Sequence, residues 1–178
     1  MTNPVPGRSP YLWIAGLVVA LDQVTKALVD DLMTLNESRP IVEGIARLTY
    51  VQNRGAAFGI LSEAGLPYQS VLFSVISLLA LLAIALYAWR MPVQSRVPQT
   101  ALALVMGGAV GNLLDRARLG YVIDYVDVYW GAHHWPAFNV ADSAISVGVA
   151  LLVLDILRNP QAEEPEPGIA VESAGRGE

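Results

Sequence analysis

From Ala64 to Trp89 the chain carries no charged side chain, and no other feature limits its possible folds so tightly. The run exceeds the ~20 apolar residues that cross a bilayer as an α-helix. Hydrocarbon offers no water to backbone N–H and C=O groups, so such a segment satisfies them internally by coiling. Three further apolar stretches accompany it. The first extends from Tyr11 to about Val29, broken only by Asp22 and Lys26; Val97 to Leu114 is uncharged, and so is Ser143 to Leu154. At about 1.5 Å per residue the last covers only about 18 Å of a core about 30 Å thick. Asp142 is therefore expected inside the membrane boundary, shielded by protein.

The acids make the pattern unusual. Asp22 interrupts the first run, Asp115 ends the third and Asp142 opens the fourth. A carboxylate at the centre of a membrane helix costs roughly 2.5–3.5 kcal/mol on insertion scales, so it needs a partner or a task. The composition excludes several tasks. Cysteine is absent, which removes disulfides, thiolate metal sites and a cysteine nucleophile. The net charge of −5 argues against nucleic acid. His133 and His134 are adjacent, so they do not easily share one metal, and a loop pair near lipid headgroups is the better reading. No Gly-x-Ser-x-Gly elbow or His-Glu-x-x-His helix occurs. The first run lacks a clean small-residue cleavage site and is followed by three more spans, so it reads as a retained helix and not a cleaved signal.

Counting spans gathers the acids. Four helices put both termini and the Arg90–Arg96 turn on one side, and the Asp30–Glu63 and Asp115–Ala141 connections on the other. Asp22 then lies about 16 Å into its helix and Asp115 about 27 Å into its own, both approaching the face at which Asp142 enters. Absolute orientation is not settled by charge. Arg8, Arg90, Arg96, Arg158 and Arg176 face Lys26, Arg39, Arg47, Arg54, Arg116 and Arg118 across the membrane. The segment Arg39–Leu61 mixes β-formers with Gly44, Gly55 and Gly59, which suits a small sheet on the membrane surface. Tyr121, Tyr125, Tyr129, Trp130 and Trp135 give the second connection the aromatic density of the headgroup zone.

Each polar group also has a structural reading. Asp22 and Lys26 stand at i,i+4, which suits an ion pair with Lys26 snorkelling outward. Gly107 and Gly111 form a small-xxx-small surface that packing explains as well as function does. Asn112, Asp115 and Arg116 share one helix face, and packing explains them less well because unpaired buried polar groups are costly. Asp142 alone suits a helix N-cap, and Asp124 alone a solvated loop acid.

The blocks Asp22-x-x-Thr25-Lys26, Asn53-x-Gly55-x-Ala57-Phe58, Gly107-Gly108-x-x-Gly111-Asn112-x-x-Asp115-Arg116, Val122-x-Asp124-Tyr125 and Phe138-Asn139-x-Ala141-Asp142-x-x-Ile145 together resemble prolipoprotein signal peptidase, or signal peptidase II. Five blocks in matching order over about residues 11–158 are highly specific. The resemblance implies a bacterial intramembrane aspartic protease, with Asp124 and Asp142 as the catalytic pair. Asn53, Gly55, Asn112, Arg116 and Asn139 would line the site or hold substrate, and Asp22, Lys26 and Asp115 would support it structurally. The expected fold is a membrane, mainly α protein: four transmembrane helices (about 11–29, 67–90, 97–115 and 140–158), a small extracytoplasmic β-sheet and a second, aromatic-rich periplasmic loop. The extracytoplasmic connections would be 30–66 and 116–139, and 159–178, rich in Glu, Pro and Gly, a disordered cytoplasmic tail.

Also implied are diacylglyceryl prolipoprotein substrates, membrane lipid as surroundings, inhibition by globomycin-type antibiotics, a monomeric state, no metal and no cofactor. The termini would be cytoplasmic and the active site would open toward the outer face of the inner membrane. Two carboxyl groups in a poorly hydrated pocket cannot both ionise, so one proton would be shared between them. A small proton-coupled transporter is the rival from another class, since intramembrane acids also mark ion paths. It favours acids spread through membrane depth, whereas these collect at one surface.

Overall fold

The computed structural model describes residues 7–55, 68–92 and 95–159. Ala57, Phe58, Gly59 and the tail from position 160 lie outside them. Four helices are long and apolar enough to cross a membrane: α1 Ser9–Leu32, α2 Gln69–Arg90, α3 Arg96–Leu119 and α4 Val140–Arg158. Local chemistry sets their ends. Pro10 starts α1 near its first position, where its missing N–H breaks no bond. Gly120 closes α3 with φ +80°, a left-handed conformation that glycine adopts without a Cβ clash. Asn139 and Asp142 open α4 as a capping box: the Asn139 side chain accepts from the Asp142 N–H, and the Asp142 carboxylate accepts from the Asn139 N–H.

A four-stranded antiparallel sheet lies across the end of the bundle in the order β1 (Ser38–Val42), β2 (Ala46–Asn53), β3 (Val122–Trp130), β4 (His133–His134). The second connection, expected as an aromatic-rich loop, thus supplies two of the strands. Arg47 pairs with Asp127 and Val51 with Asp124, with a register irregularity between Leu48 and Val51. Tyr125 turns inward instead of toward headgroups: it is buried with Val29, Met33, Tyr50 and Ile123 where the sheet meets α1. Trp130 and Trp135 do face outward. The histidines are a strand pair and not a loop pair. His134 stacks on Tyr129 and bonds Asp127 through Nδ1 at 2.9 Å, and Arg47 Nε closes on the same carboxylate at 2.7 Å.

Helix α3 is the hub. It packs against α1, α2 and α4, and its inner face carries the small residues Ala101, Ala103, Gly107, Gly108 and Gly111. A Cβ on Gly107 would stand 2.8 Å from the Ala15 carbonyl oxygen, and one on Gly108 would collide with the Ala141 carbonyl oxygen and with Ile145. Backbones therefore approach closely enough for polar side chains from three helices to meet. Helix α2 leans on α3, and among its described residues only Gln69 is buried. The outward leucines and valines of all four helices remain exposed, as lipid contact requires.

Candidate active site

At the end of the bundle under the sheet, acids from α1, α3, β3 and α4 converge. Asp124 enters from β3 and is 2% exposed; Asp142 enters from the first turn of α4 and is 6% exposed. Amides hold both. Asn53 Nδ2 donates to Asp124 Oδ2 at 2.9 Å and Asn139 Nδ2 to Asp124 Oδ1 at 2.7 Å. Asn112 Nδ2 donates to Asp142 Oδ1 at 2.8 Å, and the Asn139 backbone N–H to Asp142 Oδ2 at 3.3 Å. Asn139 thus touches both acids, because the residue that caps α4 also reaches the neighbouring strand. Asp142 is not the cap itself; its backbone N–H receives the cap.

Behind the pair sits a cluster of buried charge. Lys26 Nζ lies 2.8 Å from Asp22 Oδ2, 2.8 Å from Asp115 Oδ2 and 2.8 Å from Asn112 Oδ1. The expected i,i+4 ion pair forms, but Lys26 does not snorkel outward. It is 2% exposed, because the bundle interior offers its three N–H groups three oxygens. The two acids also fix neighbouring elements. Asp22 Oδ1 accepts from the Ala141 N–H at 2.9 Å, while Asp115 accepts from Gln23 Nε2 at 2.9 Å and from the Ile123 N–H at 3.2 Å. Tyr125 ties β3 to α1 through the Thr25 hydroxyl, 2.7 Å away.

The pair faces a cavity of about 360 Å³. Asn53, Asn112, Arg116, Asp124 and Asp142 line its polar end, and Phe73, Ile76, Ser77, Ala80 and Ile84 of α2 form its apolar wall. Arg116 Nη2 donates to the Gly55 carbonyl at 2.9 Å, and Gly55 N–H to Asn53 Oδ1 at 2.8 Å, so Gly55 is fastened beside the site. Arg116 Nε is buried without a hydrogen-bond partner among the described residues. Asp124 lies outside the spanning helices. Burial first, and the Asp142 charge second, push its carboxyl up to about 7, against the pull of Asn53, Lys26 and Asn139. A carboxyl that titrates there serves as proton donor or acceptor near neutral pH.

The family profile described as Signal peptidase (SPase) II matches residues 14–158, a stretch that holds every side chain of this site. The chain belongs to the signal peptidase II family. A lipoprotein signal peptidase of Geobacter metallireducens is 46% identical over 161 residues, covering 90% of this chain and 98% of that protein. One from Geobacter sulfurreducens is 48% identical over 147 residues, covering 83% of this chain and 91% of that protein. A solved bacterial membrane enzyme, obtained by the in meso method at 2.3 Å, superposes with a TM-score of 0.77 at 29% identity. It covers 89% of this chain and 94% of its own. As a signal peptidase II the chain is a peptidase, and it is a bacterial membrane protein of several passes.

The structure brings together every site residue that the sequence nominated. It adds Gln23, which joins Asp22 to Asp115, and the α2 wall. Gln23 was readable as a polar residue in an apolar run. The α2 wall was not, because that helix is apolar on all sides and has no periodicity to mark one face.

Proposed function

We propose that this signal peptidase II cleaves diacylglyceryl-modified prolipoproteins on the amino side of the lipidated cysteine, with Asp124 and Asp142 as a water-activating pair. The observation that carries the reading is the meeting of two buried carboxyls, from β3 and α4, through Asn139 at the polar end of a cavity whose other wall is apolar. The relatives' name, lipoprotein signal peptidase, supports the substrate class. A singly protonated pair supplies both halves of the chemistry. The ionised member takes a proton from water aimed at the scissile carbonyl, and the protonated member polarises that carbonyl and then protonates the leaving amine. The proton belongs to the pair and not to either residue.

The remaining residues divide by what they touch. Asn53, Asn112 and Asn139 hold the carboxyls, Gly55 and Arg116 close the site and line the peptide path, and Asp22, Lys26 and Asp115 brace the helices behind it. The apolar wall on α2 suits a signal segment entering from lipid, while acyl chains stay in the bilayer at about 0.8 kcal/mol per CH₂. The termini are assigned to the cytoplasm and the site to the outer face, with globomycin-type antibiotics as competitors for the cavity. The enzyme works as a monomer, without metal or cofactor.

The decisive experiment uses purified protein in detergent and a diacylated precursor peptide. Wild type is expected to cut before the lipidated cysteine. Asp124→Asn and Asp142→Asn are each expected to lose at least about a thousandfold in kcat while still melting cooperatively. Full activity in either variant removes the pair, and inhibition of wild type by a chelator argues for a metal route.

A further inference from the structure

Arginine occurs ten times in this chain and lysine once, at Lys26. That single ammonium is buried one amide away from the two carboxyls and touches neither. We infer that Lys26 is a positioning residue of the aspartate pair, acting through Asn112: it fixes which end of the Asn112 amide faces Asp142 and sets how tightly the pair holds its proton. The inference rests on the aspartate-pair reading above.

The geometry is specific. An ammonium only donates, so the Asn112 atom 2.8 Å from Lys26 Nζ must be oxygen. The other end, nitrogen, is then aimed at Asp142 Oδ1, 2.8 Å away, and can only donate to it. The same Asn112 oxygen receives Asn139 Nδ2 at 3.2 Å, and that nitrogen also reaches Asp124 Oδ1. One lysine therefore sits behind both acids, along two amide paths that start at a single oxygen. Guanidinium does not substitute easily, since its planar fork cannot offer three converging N–H groups from one point to Asp22, Asp115 and Asn112.

Two consequences of removing the ammonium point the same way. Its charge favours the ionised form of the pair, and losing it strengthens proton binding. Asn112 also loses the shorter of the two donors that orient its oxygen, keeping only Asn139 Nδ2 at 3.2 Å, so it turns over more readily and places its carbonyl oxygen against Asp142 Oδ1, a contact that is favourable only if Asp142 keeps a proton. Among the described residues, the charged groups surrounding the pair are Asp22 and Lys26 on α1 and Asp115 and Arg116 on α3, and Tyr125 of β3 is a further titratable neighbour. Asn53 from β2 and the α2 wall contribute no charge.

The test uses full-length Lys26→Met and the double variant Lys26→Met with Asp22→Asn. The double variant leaves the net charge of the Asp22–Lys26–Asp115 cluster as it was but still takes the ammonium from Asn112. On the diacylated precursor, both limbs of the kcat–pH profile are expected to move to higher pH by at least about half a unit. kcat should fall about tenfold or more while KM stays within about threefold. A substrate-free reading follows the carboxylic-acid infrared band that Asp124→Asn removes: in the variants it should titrate at higher pH than in wild type. A cooperatively melting variant whose profile and infrared titration overlay wild type overturns the inference. So does failure of both variants to fold, which would make Lys26 a folding residue. Wild type that leaves the precursor uncut defeats the functional reading alone, because the infrared titration still decides the role of Lys26.

Discussion

Asp124 and Asp142 are held by amides and not by cations, and that choice has a chemical consequence. A lysine or arginine in contact would favour full ionisation and leave no acid in the pair. Asparagine N–H groups occupy the carboxyl oxygens without supplying a full charge, so the proton can remain. Burial and then the Asp142 charge push Asp124 up to about 7 from an ordinary 3.8, and the two asparagines pull against that rise without cancelling it. Between those values the folded protein holds a proton that the unfolded chain has released. Stability from this group is therefore full at low pH, falls as pH rises through the window and levels off above about 7. Melting temperature in detergent should drop between about pH 4 and about pH 7, and Asp124→Asn should flatten that slope. In the same series kcat should decline above about pH 7 as the pair loses its last proton. A wild-type slope that matches the variant's would mean that Asp124 titrates as an ordinary exposed acid.

At the scale of elements, the contact between α3 and α4 decides where the Asp142 carboxyl points. A Cβ on Gly108 would meet the Ala141 carbonyl oxygen, one residue before Asp142, and backbone cannot step aside as a side chain can. Gly108→Ala should separate the helices, cost about 1–3 kcal/mol in stability and depress activity further by displacing Asp142. Gly16→Ala is the control. Nothing lies within 4 Å of its new Cβ, so stability should be unchanged or higher. Thermal melting and peptide cleavage on the two variants check this, and equal effects would remove the close approach as a design element. The helices were legible in the sequence because apolar length and backbone satisfaction leave a membrane segment no other choice. The strand Val122–Trp130 was hidden, since Asp124 and Asp127 interrupt it three residues apart, off a strand's two-residue period, and Asp124 reads equally well as a solvated loop acid. Its role emerges only when Asn53 and Asn139 reach Asp124 from far along the chain. Likewise, spacing announced the Asp22–Lys26 pair but not the third partner, Asn112, contributed by another helix.

For the whole molecule, burial removes two cations from a charge count that the sequence left balanced. Lys26 and Arg116 are buried in the site and say nothing about which side faces the cytoplasm. Arg39 is paired with Glu37 and Arg47 with Asp127 on the sheet. The positive-inside rule counts paired arginines as well, so Arg39, Arg47, Arg54 and Arg118 on the sheet side stand against Arg8, Arg90, Arg96, Arg158 and Arg176 on the other, four against five, and the cytoplasmic placement proposed for the termini rests on experiment. Arg8 reinforces that end as a unit. It donates to the carbonyls of Trp89 and Met91 and lies 4.7 Å over the Trp89 ring, binding the start of α1 to the end of α2. The chain has no cysteine, so orientation can be read with single introduced thiols and a membrane-impermeant maleimide in spheroplasts. Glu43→Cys, exposed in the β1–β2 turn, should label without permeabilisation, and Asn159→Cys, just past α4, only after it. The reverse pattern would put the aspartate pair at the cytoplasmic face. A precursor already exported across the membrane could not then present its cleavage site to the cavity.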